Sequence, residues 1–306
     1  LAVEELNAEE QKKNPEKIVK KKTAAKTVLD KSSTDTSKNT AVKKITAKKE
    51  KPAAKQTHIH ITLMLRFHTS YGQMLYITGN HEMFGSNRIE EAKPLQYLTD
   101  DLWTITIKMD RTMFPDGGIF YNYILKNKDG SVSYDWGNDK KLDAKTLVSD
   151  ETLLIDSWNH PGYYENSFYT EPFQEVLLKQ NETKAKAATA KKHTHLFRVK
   201  SPLLPNGYTL CLLGNTKEMG EWNETKPVIM WKDDVFYTAK LDLGNVDFPV
   251  SYKYGVWDVV NKQFVRYEDG KDRLLYDAFV DVKNTIVYDG FAVLTAMGWN
   301  GAGIAL

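Results

Sequence analysis

The chain has 306 residues, room for two domains plus tails, and its net charge of +2 hides a split. Residues 1–57 carry 15 Lys against 8 acidic residues and no Phe, Tyr or Trp, whereas all 7 Trp, 16 Tyr and 12 Phe lie beyond them. A single cysteine, Cys211, excludes an internal disulfide, and no run of 18 apolar residues is present to form a helical membrane span.

Taken in order, residues 1–57 are too rich in Lys, Ala, Thr and Ser to bury the apolar surface that would offset ordering entropy, so a disordered basic tail is expected. It reads as a solvated spacer or as a contact for an acidic surface; with no aromatic residues interleaved it offers no base stacking, and no nucleic-acid partner is expected. From His58 the polarity alternates: Ile59, Ile61, Leu63, Leu65 and Phe67 fall on one face of a half-buried strand. His58 and His60 fall on the other face, without a third metal ligand suitably placed nearby, and read as surface polar positions. Ser70-Tyr71-Gly72 turns into a second strand. Leu102 to Met109 alternates around Trp103, and Pro115 to Gly118 is a turn. Ile119 to Leu125 and Val132 to Tyr134 form a hairpin closed at Asn127-Lys128-Asp129-Gly130, and Thr152 to Trp158 is a closing strand. Residues 165–178 read as a short helix or bridge, and Lys179 to His193 as a polar linker.

A second stretch repeats the first. Leu210 to Trp222, LCLLGNTKEMGEW, answers Leu75 to Asn87, LYITGNHEMFGSN. Gly79 pairs with Gly214, Asn80 with Asn215 and Gly85 with Gly220. Tyr121-Asn122-Tyr123 then answers Tyr252-Lys253-Tyr254, Tyr134 to Lys140 answers Tyr267 to Arg273, and Leu153 to Trp158 answers Ile286 to Phe291. Ordered matches over such a span indicate two homologous all-β domains, each an antiparallel Ig-like β-sandwich or open β-barrel. The expected division is a tail at 1–57, a first domain at 58–162, a bridge and linker at 163–193, a second domain at 194–292, and at 293–306 the opening of a further domain.

No catalytic constellation is present: there is no GxSxG, no HExxH, no phosphate loop and no Cys/His cluster, and no cofactor is implied. The positive signal is aromatic. Trp222 lies on a loop, Lys253 sits between Tyr252 and Tyr254, and Tyr267-Glu268 opens a loop ending at Asp272-Arg273. Sugars present C–H faces to rings and hydroxyls to polar groups. A flat pair of Trp222 and Tyr267 beside Lys253 and Glu268 would suit two consecutive glucose units. Trp103, Trp158 and Tyr252 read instead as core; for Trp222 core and binding both stand on the residues alone.

LCLLGNTKEMGEW, SYKYGVWD and RYEDGKDR together resemble the starch-binding domain, carbohydrate-binding module family 20, over residues 58–160 and 194–292. That resemblance implies an open antiparallel β fold and an α-1,4-glucan ligand such as starch, glycogen or maltodextrin. It places the family's first sugar site on Trp222, Lys253 and Tyr267, with Tyr where the family has Trp and Asp272 near the family's Asn. In the first domain the same positions are Asn87, Asn122 and Tyr134, with Trp136 as a substitute ring. The second site falls on Tyr71, with Tyr97 as partner; the second domain has Asn206 there, with Trp231 as a substitute. The tandem arrangement resembles the N-terminal part of family-77 4-α-glucanotransferases, and Trp299 to Leu306, WNGAGIAL, resembles the opening of their catalytic barrel, so this chain is expected to be the non-catalytic portion of such an enzyme. The lone cysteine and the absence of a leader before Leu1 give an expected cytoplasmic location, with no membrane partner. Two other readings stand: a protein-binding scaffold anchored by the tail, which requires a buried Trp222, and nucleic-acid binding through the tail, which requires steep salt dependence.

Overall fold

Strands form where polarity alternates and stop at the Gly-containing turns. The computed structural model describes residues 58–137, 140–170, 172–173, 192–201, 203–276, 279 and 282–292. The expected tail, most of the linker and the ending at 293–306 lie outside the described residues. In the first half the strands are His58–Arg66 (β1), Met74–Gly79 (β2), Lys93–Pro94 (β3), Gln96–Thr99 (β4), Leu102–Asp110 (β5), Ile119–Lys126 (β6), Val132–Tyr134 (β7), Lys140–Leu142 (β8) and Glu151–Ser157 (β9). In the second they are His195–Lys200 (β10), Tyr208–Gly214 (β11), Val228–Ile229 (β12), Trp231–Asp233 (β13), Phe236–Leu241 (β14), Val250–Asp258 (β15), Gln263–Tyr267 (β16), Arg273–Leu275 (β17) and Asn284–Gly290 (β18). Of the bridge at 165–178, the described part is a 3-10 helix at Tyr164–Tyr169 followed by residues 170 and 172–173.

The two sets pair alike. β3-β2-β6-β7, with β8 also on β6, matches β12-β11-β15-β16, with β17 also on β15. The remaining strands form one eight-stranded sheet in the order β13-β14-β10-β18-β9-β1-β5-β4. Within the all-β class this sheet is mixed. β1 runs parallel to β9, β10 parallel to β18, and β9 parallel to β18, with Leu154 opposite Ile286. Had each half stood alone, β9 and β18 would be edges with a row of unpaired N–H and C=O groups; pairing with each other hides both.

The shared sheet changes the burial expected from alternation. Side chains of successive residues point to opposite faces. Leu154 packs into the first core with Ile59, Ile61, Leu75 and Tyr121, and Ile286 reaches into that core from the second half. Leu153 and Ile155 pack on the other face with Phe197, Leu212, Tyr252 and Val287. Strands buried on both faces read as continuous apolar runs, which is what Leu153-Leu154-Ile155 is. β1 was expected to bury one face, yet Met64 on its opposite face is also buried, because the second core covers it.

Candidate functional site

The repeated Gly-Asn phrase builds the same corner twice. A Cβ on Gly79 would stand 2.4 Å from the carbonyl oxygen of Phe120, and one on Gly214 would stand 2.6 Å from that of Ser251. Asn80 Oδ1 accepts the N–H of Phe120 at 3.0 Å, and Asn215 Oδ1 accepts that of Ser251 at 2.9 Å, so the Asn side chain continues the strand pairing for one more residue. A buried peg follows, Phe84 in one copy and Met219 in the other. The chain then bends through three left-handed residues, Gly85-Ser86-Asn87 and Gly220-Glu221-Trp222. A left-handed φ of 60° is uncommon for a bulky side chain such as Trp222. The Asn at the matching point of the first half adopts the same conformation more readily.

In the second half this bend brings Trp222 to Tyr267, with ring centroids 6.5 Å apart and planes inclined by 65°. The pair is angled, which corrects the expected flat platform. Tyr267 pairs with Gly255 across β15 and β16, so Lys253, two residues before Gly255, shares its face of the sheet. Lys253 Nζ donates to the carbonyl oxygen of Gly270 at 2.7 Å and lies 3.6 Å from Asp272 Oδ1. Phe264 packs against the Tyr267 ring at 4.6 Å. Partial burial, and then the neighbouring Glu224 carboxylate, push the Tyr267 phenol up to about 12.

Glu268 is not part of this surface. Its side chain is 1% exposed, and its carboxylate accepts two bonds from Arg273, at 2.8 and 2.7 Å, and one each from the N–H groups of Tyr254 and Ala292. The expected sugar contact is thus corrected to a support beneath the Tyr267 loop: a carboxylate so placed has no water-facing capacity left, and burial would be costly were it unpaired. Asp135 does the same in the first half, accepting from Lys140 and from the N–H of Asn159.

In the first half Tyr71 stands on the Gly72 turn, 97% exposed. Tyr97 lies in β4, just before the adjoining turn at Asp100-Asp101, with half its surface exposed; its hydroxyl donates to Asp100 at 2.7 Å and its ring meets Trp103 edge-on at 5.3 Å. The two turns are tied: the Thr69 N–H donates to the Asp100 carbonyl at 2.7 Å, and Trp103 Nε1 donates to Thr69 Oγ1 at 3.0 Å. Tyr134 is exposed at the end of β7, on the side of β6 that carries Asn122. The Trp136 ring lies 5.7 Å from the Lys200 ammonium of the second half. Trp231 lies in β13, the strand that corresponds to the β4 of Tyr97, with Lys240 over its ring.

Sequence reasoning passed over the buried carboxylates at the centre of each half. Tyr121 and Tyr123 donate to Asp156 at 2.8 and 2.7 Å; Tyr252 and Tyr254 donate to Asp289 at 2.9 and 2.8 Å. The signal was present, a Tyr-x-Tyr pair in each repeat followed by an Asp inside the last apolar strand. Burial works to raise Asp289, and the adjacent Arg66 and Arg273 outweigh it, so that its carboxyl stays below the usual range.

Comparison with known proteins follows the same lines. The family model described as "Starch binding domain" matches residues 57–153. The chain is 23% identical over 270 residues to 4-alpha-glucanotransferase DPE2 of Oryza sativa subsp. japonica; the match covers 81% of this chain and spans 27% of that protein's length. Among solved structures, the family 20 carbohydrate-binding module of the maltotetraose-forming amylase from Pseudomonas saccharophila STB07 is 13% identical, covering 31% of this chain and 97% of that one at a TM-score of 0.27. The Hormoconis resinae glucoamylase is 25% identical, covering 35% and 18% at a TM-score of 0.29. It is over residues 57–153, about a third of the chain, that the match to the starch binding domain family runs.

Proposed function

We propose that the chain is a tandem α-glucan-binding unit, with modules at 58–162 and 194–292 and a bridge at 163–193, serving as the non-catalytic portion of a 4-α-glucanotransferase. The second module holds glucan between Trp222 and Tyr267 with Lys253 beside them; the first holds it on Tyr71 and Tyr97. The observation that carries this reading is the angled Trp222–Tyr267 pair, both rings partly exposed. An α-1,4-linked chain curls, so the faces of consecutive glucose units are inclined, and two inclined rings offer each unit its own platform. Trp and Tyr supply that area at little entropic cost. The scaffold reading required Trp222 to be buried, and it is only partly so. The likeness to a rice glucanotransferase over most of this chain supports the parent activity.

The test is adsorption of the folded chain to insoluble starch, with soluble maltoheptaose as competitor. Wild type is expected to adsorb and to be released by the competitor. Trp222→Ala combined with Tyr71→Ala is expected to remain in solution. Adsorption unchanged by both substitutions would overturn the assignment of the sites, and absence of adsorption by wild type would overturn the function.

A further inference from the structure

The second module's site is underpinned by a residue of the first. Arg66, the last residue of β1, extends across the shared sheet. Its guanidinium donates to Tyr252 Oη at 3.3 Å, to the Tyr288 carbonyl at 3.2 Å, to Ser157 Oγ at 3.1 Å and to Asp289 Oδ1. Asp289 is fully buried, and its other oxygen receives the hydroxyls of Tyr252 and Tyr254, the residues on either side of Lys253. Arg273 donates to Asp289 at 3.0 Å and with its remaining donors clamps Glu268, next to Tyr267. The loop from Glu268 to Arg273 contains the Gly270 carbonyl and the Asp272 carboxylate that hold Lys253.

We infer that Arg66 is a positioning residue for the Trp222–Lys253–Tyr267 surface, so that the first module completes the binding site of the second. The inference rests on reading that surface as a glucan site. Its physical basis is charge. Arg66, Arg273, Asp289 and Glu268 make a neutral set in a place where unpaired charge is costly. Remove Arg66 and Asp289 must draw on Arg273 alone. Arg273 can satisfy Asp289 more fully only by loosening its grip on Glu268, and the Tyr267 loop then moves relative to Lys253. Lys200 ends β10 as Arg66 ends β1, opposite Gly290 where Arg66 is opposite Ser157, but a lysine offers no planar fork to hold several acceptors at once.

The experiment isolates the second site in a Tyr71→Ala parent and titrates maltoheptaose against Trp fluorescence, at a temperature where circular dichroism shows every variant folded. Arg66→Gln is expected to weaken binding about tenfold, and Arg66→Lys to recover part of the loss. Tyr252→Phe, which removes one acceptor of Arg66 and one donor to Asp289 from the second-module side, is expected to weaken binding in the same direction. The complementary Trp222→Ala parent, which reports the first site, is expected to bind equally with and without Arg66. Variants that melt lower but bind as the parent does would overturn the proposal, leaving Arg66 a purely structural residue. An equal loss at both sites would overturn it too. No binding by the Tyr71→Ala parent itself would instead remove the second-module site and the inference with it.

Discussion

Trp222, the ring on which the proposed second site depends, sits on left-handed backbone. Its left-handed φ matches that of Asn87, yet only one of the two side chains tolerates that conformation well. Backbone strain of this kind costs about 1–3 kcal/mol. Trp222→Asn is therefore expected to keep or raise the melting temperature while abolishing maltoheptaose binding at the second site; a fall in both would show that Trp222 is a core residue. His195 makes a second residue-scale prediction. Burial against Phe248, partly offset by Asp242, lowers its imidazole from 6.5 to about 4. The unfolded chain therefore takes up a proton near pH 6.5 that the folded chain refuses until about pH 4. Stability is full above pH 6.5 and falls as pH drops through that window, by up to about 3 kcal/mol. Denaturation midpoints measured from pH 7 to 4 should decline, and His195→Gln should flatten the decline; an identical slope in the variant would show that other groups set it.

At the scale of elements, the Gly-Asn corner was legible because its chemistry is local. Only glycine fits within 2.6 Å of a facing carbonyl, and only a short amide side chain can take the place of the next strand residue. Gly214→Ala is expected to cost about 1–3 kcal/mol by forcing Ser251 or Met219 aside, read as a lowered unfolding midpoint; an unchanged midpoint would mean that the corner relaxes freely. The longer strands of the first half and the turns at Gly72, Gly118 and Gly130 were legible for the same reason, since alternation and turn residues are written within a few positions of each other. What was not legible is long-range. Leu153-Leu154-Ile155 looks alike whether one face or two are covered, and nothing in its spelling names β18 as the neighbour. Glu268 could be read as a sugar ligand because its adjacency to Tyr267 is visible in sequence, whereas its clamp by Arg273 and its bond to Ala292 are not. Arg66 was passed over because its partners in the second half lie more than 180 residues away.

At the scale of the whole molecule, the shared sheet joins the two described halves into one body. Ile286 lies in the first core, and Met64, Leu153 and Ile155 in the second. Calorimetry should accordingly show a single unfolding transition rather than two, and a fragment spanning residues 192–292, which lacks β9 and exposes β18 as an edge, should not reach the native melting temperature. Two transitions with the fragment as stable as the intact chain would contradict the shared core. A single body would also fix the separation of the two proposed sugar sites, so that a long glucan spanning them would gain avidity, while one too short to span them would bind each independently. Isothermal calorimetry with maltoheptaose decides whether this body carries the two proposed glucan sites of different make. Wild type is expected to bind two equivalents, with one lost on Trp222→Ala and the other on Tyr71→Ala. One equivalent in wild type that survives Trp222→Ala, or no heat of binding at all, would contradict this expectation.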